Sequence, residues 1–517
     1  MKHRTIFPYC VGTCIAISSL QAKEKSPNIV LIMTDQQRAD FLAREGYPID
    51  TMPFVDELAS NGTWFNKAYT SSPASVPART SLLTGRFPKA THVRNNQNEV
   101  DAYFEKDMFH VLEEKGYATA LVGKNHSYLR SDRLDYWSEY NHGGKVGSSG
   151  TEKGDAFDRF LKETQLYASF EPAPGGIESQ PAYRMVDEAT EWIKDVKDQP
   201  FMLWLSFAEP HNPYQTCEPY FSMFRDKLPS LQTSAKDRRI KGERYETLAE
   251  MMELGHVGYS QQLDELHSIY LGMMRMIDDQ IRRFTDNLKR QDLYDNTIFI
   301  FISDHGDYVG EYGLMKKGAG LDEIASRIPM QWSGPGIKTS GRPHNAHVSM
   351  VDIFPTICEI INVPIPAGAQ GRSLWPLLQG KPYPEKEFES IYVEHGYGGQ
   401  FYTKEDDTDY LTEGAITKNK YFFDELNSWT QSGFTKMVRK GDWKLIFDME
   451  GNGQLYNLRR DPMELKNLFE IKKYSQTKTN LLQELLKWEI ATGDPLPLPR
   501  RRYHFKKNEH NYMFNDM

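Results

Sequence analysis

The sequence predicts an α/β fold: a mostly parallel sheet between helices, followed by a smaller α+β region carrying an antiparallel sheet. Three observations predict it. Short apolar runs rich in β-branched residues alternate with longer segments of helical periodicity, the pattern of a parallel sheet covered on both faces. Each apolar run ends in polar residues able to do chemistry. After about residue 375 the runs shorten and tight turns separate them, as in an antiparallel sheet.

Asn28 to Met33 follows Pro27 and reads as a buried strand, with Thr34, Asp35 and Gln36 at its carboxyl end. Met52 to Asn61 is predicted helical, with Pro53 near its start and Gly62 just after its end. His110 to Gly116 closes a helix, and Ala118 to Val122 is a second buried strand. Ala182 to Val196 reads as a helix and Phe201 to Phe207 as a third strand. Leu263 to Leu288 has apolar positions at helical spacing over its whole length, and Thr297 to Ser303 is a fourth strand. The short runs Ile391 to Glu394, Phe434 to Arg439, Trp443 to Asp448 and Gln454 to Asn457 predict the antiparallel sheet. Leu481 to Ile490 reads as an amphipathic helix. Two segments resist assignment. Gly143 to Gly154 is a flexible loop by composition, and the charged stretch from Lys227 to Gly255 reads as an insertion of the kind that shapes access to a site.

The 517 residues suffice for two domains, expected at 26–375 and 376–517 behind a removable segment at 1–22. That segment has a basic start (Lys2, His3, Arg4), an apolar stretch from Ile6 to Leu20 and a small residue at Ala22, the pattern of an export signal. It is too short to span a membrane as a mature helix. The product is expected to be periplasmic; Cys14 within Val11-Gly12-Thr13-Cys14 keeps a lipid-anchored form open. Losing Lys2 and Arg4 takes the net charge from −9 to −11, which argues against a nucleic-acid partner or a polybasic membrane surface. Charged residues at 26% and aromatics at 12% exclude a largely disordered chain, and 4 cysteines exclude a disulfide scaffold. Cys217 and Cys358 read as buried thiols.

In open α/β sheets the ligand crevice lies at the carboxyl ends of the strands. Here four strands, far apart in sequence, deliver Asp35-Gln36, Lys124 and His126, Glu209 to His211, and Asp304-His305 to one edge. Any one of these pairs alone would be weak, because an Asp after a strand often only caps a helix. Their convergence marks an active site.

Ser75-Val76-Pro77-Ala78-Arg79, extended by Thr80-Ser81-Leu82-Leu83-Thr84-Gly85, resembles the signature of the type I, formylglycine-dependent sulfatase family of the alkaline phosphatase superfamily. Further matches follow in the family's order: Asp35-Gln36, Gly123-Lys124-Asn125-His126, Pro210-His211-Asn212-Pro213-Tyr214, Ser303-Asp304-His305-Gly306-Asp307, Gly310-Glu311 and Lys317-Gly318. Lys440-Gly441-Asp442-Trp443-Lys444-Leu445 and Leu455-Tyr456-Asn457-Leu458 resemble its second domain. The resemblance spans residues 26–470 and implies an alkaline-phosphatase-like fold.

It also implies that Ser75 is oxidised to formylglycine (3-oxoalanine), whose hydrated diol attacks sulfur with one oxygen and expels sulfate with the other. A serine at this position implies a Ser-type sulfatase-maturing enzyme as partner and a bacterial source. Read from the residues alone, Ser75 is equally a helix N-cap. Asp35, Gln36, Asp304 and His305 match the family's metal positions, with the modified Ser75 as a further ligand. The oxygen donors suit Ca2+, and the His305 nitrogen leaves Mg2+ or Mn2+ open. Arg79, Lys124 and Lys317 would supply positive charge to the sulfate. His126 would take the proton from the diol's second oxygen, and His211, helped by Lys317, would protonate the leaving oxygen. Lys317 is preferred over Lys316 because it precedes Gly318. The expected substrate is a sulfated carbohydrate, with Arg94, Asn95, Glu209, Asn212 and His395 as candidates for recognition. The rival readings are a phosphate or phosphonate monoester hydrolase of the same superfamily and a non-catalytic glycan-binding relative.

Overall fold

A computed structural model describes residues 26–401 and 432–494. The proposed export signal lies outside these residues. The strands, in chain order, are β1 Asn28–Asp35, β2 Gly62–Phe65, β3 Ala68–Tyr69, β4 Ala118–Lys124, β5 Tyr136–Asn141, β6 Gly144–Lys145 and β7 Phe201–Pro210. They continue with β8 Thr297–Ser303, β9 Met330–Ser333, β10 Val348–Ser349, β11 Ser390–Phe401, β12 Ser432–Lys440, β13 Trp443–Asp448 and β14 Gly453–Asn457. The helices that matter for the site are α1 Pro53–Ser60, α2 Ser75–Thr84, α3 Met108–Glu114, α4 Pro181–Val196, α5 Ala235–Lys241, α6 Glu243–Gly255, α7 Leu263–Arg290, α8 Ile353–Ile360 and α9 Ser475–Thr492.

An eight-stranded sheet has the order β2-β9-β8-β1-β7-β4-β5-β6. Its centre, β8-β1-β7-β4-β5, is parallel, and antiparallel pairs close both edges. The alternation of the central strands explains the two layers around it. Val30, Ile32, Leu203, Leu205, Phe299 and Phe301 face a core built with α4 and α7. Ile29, Leu31, Met33, Met202, Trp204, Ile298 and Ile300 face α2, α3 and α8 on the other side. Every residue of β1, β7 and β8 is buried, which is why these strands read as continuous apolar runs.

The second sheet is antiparallel, in the order β11-β12-β13-β14. Val438, Leu445 and Leu455 join it to the same apolar cluster as α2, and α9 packs there through Leu481, Leu485 and Trp488. Cys217 and Cys358, the two cysteines among the described residues, are free and buried. No helix among the described residues is long and apolar enough to cross a membrane.

Three readings need correction. Gly143 to Gly154 is not a flexible loop throughout: Gly144–Lys145 pairs with β5, and a helix starts at Glu152. Lys227 to Gly255 folds largely into α5 and α6, whose buried positions Lys241, Tyr245, Leu248 and Met252 dock the charged segment on the domain. The third strand runs on to Pro210, so Glu209 belongs to it.

Candidate active site

The register of the parallel strands brings their carboxyl ends level: Thr34 pairs with Ser303 and Gly123 with Ser206. Gly123 is required there, because a Cβ would lie 2.0 Å from the Ser206 carbonyl oxygen. Beyond the strand ends the backbone is strained. Gln36 (φ 64°), His126 (φ 44°), Val309 (φ 44°) and Lys316 (φ 62°) all occupy the left-handed region, a clustering found at functional sites.

Ser75 is the first residue of α2, and Ala74 occupies the capping position. The N-cap reading of Ser75 therefore fails. Its hydroxyl instead reaches inward, with Oγ 3.0 Å from His305 Nε2, at a helix N-terminus whose free amides and dipole favour an anion. The His305 Nδ1 faces the Gly306 carbonyl at 3.0 Å and so carries the ring proton, leaving the Nε2 lone pair toward Ser75.

Asp35, Asp304 and His305 are fully buried, and one ligand atom from each lies within 4.8 Å of the others. Asp35 Oδ1 has no hydrogen-bond partner among the described residues, an orphaned buried acceptor that a cation would satisfy. Burial pushes the Asp35 carboxyl up, but Lys124, His211, Arg79 and His142 outweigh it and hold the group well below its usual range. The donor set therefore fits a divalent ion. Gln36 stands beside it: its backbone N–H donates to Asp304 Oδ1 at 2.8 Å, and its Oε1 accepts from Lys317 Nζ at 2.6 Å.

Arg79 is completely buried and binds several parts of the site at once. Its Nε donates to Asp304 Oδ2 at 3.1 Å, its Nη1 donates to Ser206 Oγ and the Lys124 carbonyl at 2.8 Å each, and its Nη2 lies 3.4 Å from Asp35 Oδ2. Lys124 pairs with Asp35. With Asp307, which anchors Gln36 and Tyr214, three carboxyls face the cations Arg79, Lys124 and Lys317. A divalent ion added to this balanced set leaves the crevice positive, as a sulfate ester requires.

The two catalytic histidine candidates differ. His211 Nδ1–H donates to the Asn212 carbonyl at 2.6 Å, so in the neutral ring Nε2 is bare; it faces Lys317 Nζ at 3.5 Å. Burial first, then His142, keeps His211 well below its usual range. His126 is half-buried, its Nδ1 has no partner among the described residues, and burial followed by Lys124 and Arg79 keeps it neutral. Of the adjacent Lys316 and Lys317, Lys317 bonds Gln36 through Nζ and faces His211.

Sequence reasoning missed His142. It sits in the β5–β6 turn, stacks on His211 with ring centroids 3.9 Å apart and lies 2.9 Å from Lys124 Nζ. Asn96, whose Oδ1 accepts from the Val76 amide at 3.1 Å, was also missed. The recognition candidates scatter. Arg94 covers the Phe434 ring, and the Asn95 amide donates to Asn98. Asn212 is tied to the Leu166 carbonyl. Glu209 is buried at the carboxyl end of β7, and His395 lies on β11.

A sulfatase family model matches residues 27–363. An arylsulfatase of Clostridium perfringens is 27% identical over 492 residues, covering 89% of this chain and 94% of that protein. The phosphonate monoester hydrolase of Agrobacterium radiobacter superposes with a TM-score of 0.71 at 21% identity, over 90% of this chain and 96% of that one. A protein solved in complex with its substrate D-glucosamine-2-N,6-O-disulfate superposes with a TM-score of 0.69 at 20% identity, over 92% and 99%. With this fold and a buried, cation-lined crevice at its strand ends, the chain belongs to the sulfatase family and is an enzyme of the sulfuric ester hydrolase class.

Proposed function

We propose that the protein is an exported sulfatase that removes sulfate from a sulfated saccharide, with Ser75 in its formylglycine form as nucleophile. The observation that carries the reading is the placement of Ser75 Oγ 3.0 Å from His305 within the Asp35, Asp304 and His305 cluster, ringed by Arg79, Lys124 and Lys317. Asp35, Gln36, Asp304 and His305 would hold the cation, which supplies charge stabilisation to the nucleophile and a sulfate oxygen; their oxygen donors suit Ca2+, with Mg2+ or Mn2+ as alternatives. Arg79 and Lys124 orient the sulfate. The Lys317–His211 pair carries the proton for the leaving oxygen: Lys317 holds it in the resting site and the bare His211 Nε2 faces that ammonium. His126, neutral and with Nδ1 unpartnered among the described residues, is the base for sulfate release. The saccharide reading draws support from the relative solved with a glucosamine disulfate. Export to the periplasm rests on the first 22 residues.

The phosphonate monoester hydrolase neighbour supports a second reading in which the ester is a phosphonate or phosphate. One preparation tests both. Protein made with a Ser-type maturing enzyme should show a Ser75 peptide about 2 Da lighter, the loss of two hydrogens, and activity should track that fraction. It should cleave aryl sulfate and defined sulfated saccharides faster than aryl phosphate. Faster phosphate turnover would favour the second reading. Full activity with unmodified Ser75 would overturn the nucleophile, and binding without turnover by fully modified protein would make it a glycan-binding relative.

A further inference from the structure

We propose that Arg244 and His395 form a second anion subsite beside the crevice, holding a carboxylate or an additional sulfate of the saccharide whose ester is cleaved. The proposal rests on the saccharide sulfatase reading. A cavity of about 290 Å3 lies between the start of α6, the segment after Lys317 and the antiparallel sheet, lined by Arg244, Ala319, Gly320, Phe401 and Thr435 among others. Its walls are continuous along the chain with segments of the crevice. Ala319 is two residues from Lys317. The Glu394 amide on β11 donates to the Ser71 carbonyl at 3.0 Å, four residues before Ser75, and His395 comes next on the strand.

Arg244 is an under-partnered cation. Its guanidinium lies 4.5 Å over the Phe401 ring, Nη1 makes one long bond of 3.4 Å to Thr435 Oγ1, and the buried Nη2 has no partner among the described residues. No carboxylate pairs with it among the described residues. The acids near the cavity are otherwise disposed: Asp448 accepts from the Glu450 and Asn452 amides in its own turn, and Glu243 and Glu450 are exposed. Lys241 is paired with Asp322 at 2.7 Å. His395 adjoins the cavity rather than lining it; it is 3% exposed, and both its ring nitrogens lack partners among the described residues. It pairs with Thr435 across β11–β12, so the two side chains share the face that Arg244 touches. Burial, then Arg244, pushes His395 down to about 3, so it is neutral and offers one N–H. The amino-terminal turn of α6, which contributes Gly242, Glu243 and Tyr245 to the lining, adds backbone amides and the positive end of a dipole. Leaving buried donors unpaired is costly, and an oxyanion in the cavity would satisfy them. A guanidinium beside a neutral N–H selects a planar or tetrahedral oxyanion over a neutral hydroxyl.

The test compares Arg244→Gln, Arg244→Lys and His395→Phe with the parent on three substrates: an aryl sulfate, a saccharide bearing only the scissile sulfate, and the same saccharide with a uronate carboxylate or a second sulfate. Arg244→Gln should lower kcat/KM on a doubly anionic saccharide about 10–100-fold more than on the singly anionic one, mainly through KM, and Arg244→Lys should recover part of it. The carboxylate and sulfate arms show which oxyanion the subsite takes. Losses equal on singly and doubly anionic saccharides, or no loss on either, overturn the proposal. Calorimetric titration of the same saccharides into Ser75→Ala protein, with and without Arg244→Gln, reads the subsite apart from catalysis. An Arg244-dependent preference for the doubly anionic saccharide supports the subsite even where sulfatase turnover fails, and its absence overturns it.

Discussion

His211 keeps its Nδ1 proton on a backbone carbonyl and turns Nε2 toward Lys317, whereas His126 has Nδ1 unengaged. The first arrangement suits proton delivery from a paired ammonium, the second proton removal. If so, His211→Ala should slow a sugar sulfate, whose alkoxide leaves poorly, about 10²–10⁴-fold, and an activated aryl sulfate far less. His126→Ala should leave about 80 Da of SO3 on the Ser75 peptide with either substrate, visible by mass spectrometry. Equal losses for His211→Ala with no adduct for His126→Ala would reverse the two roles. Glu209 makes a separate prediction. Burial, against its own backbone amide, Arg184 and the Ala182 amide, raises its carboxyl from an ordinary value near 4.5 to about 7. Folded protein therefore keeps this proton between pH 4.5 and 7 while unfolded chain has lost it. The group favours folding most below pH 4.5, and that contribution, up to about 3 kcal/mol, fades as pH rises to 7. Urea midpoints of Glu209→Gln should gain on the parent across that window; parallel curves would show the carboxyl to be solvated. Among single residues, those in extended motifs were legible in the sequence. His142 was not, because it follows Tyr136–Asn141, an edge strand that mixes polar and aromatic residues, whereas the central strands that were read are nearly continuous apolar runs.

At the scale of elements, the central strands were legible because burial on both faces demands continuous apolar runs, and strand ends then locate the crevice without any motif. The edge pair β5–β6 and the helices α5 and α6 were not. The former is half-exposed, and the latter hide their docking residues among surface charges; Lys241 is itself buried. One contact between elements carries no sequence signal. Asp278 in the middle of α7 accepts the Phe54 and Val55 amides at 3.0 and 2.8 Å, capping α1 from a distance. The α1 capping residue, Met52, offers no side-chain acceptor of its own. Asp278→Ala would orphan two buried amides, at about 1–3 kcal/mol each. Urea unfolding of this variant should show a loss of that size, with Asp278→Asn retaining part of the stability. A loss under 0.5 kcal/mol, roughly the level of an ordinary surface change, would mean that solvent satisfies α1.

Across the whole molecule, a buried ionic cluster ties the antiparallel sheet to the segment that carries Lys317. Lys444 on β13 binds Glu464 at 2.8 Å and Glu323 at 3.2 Å, and Arg439 on β12 reaches Glu323 at 3.1 Å. The Glu323 amide donates to Glu464 at 2.9 Å. One residue before Glu323, Asp322 takes Lys241 from α5 at 2.7 Å and the Tyr245 hydroxyl from α6 at 2.7 Å. The second sheet, the charged helices and the segment after Lys317 thus meet at one site. Its members are spread from residue 241 to 464, so local reading of the sequence could not assemble them. A buried pair contributes little relative to an apolar replacement, but removing one partner leaves a charge uncompensated and costs about 3–5 kcal/mol. Lys444→Met should therefore destabilise the protein by about that amount at neutral pH. Burial already raises the Glu464 carboxyl. Without Lys444 it would rise further, so protonation should relieve the variant in acid, and its deficit should shrink below about pH 5. Adding Glu464→Gln should restore part of the neutral-pH loss, since the two sites share one interaction. Urea midpoints of the parent, both single variants and the double variant at pH 5 and 7.5 measure all three effects. If Lys444→Met costs under about 1 kcal/mol, the range of an exposed pair, or costs the same at both pH values, the cluster is solvated and does not hold the second sheet to the segment after Lys317.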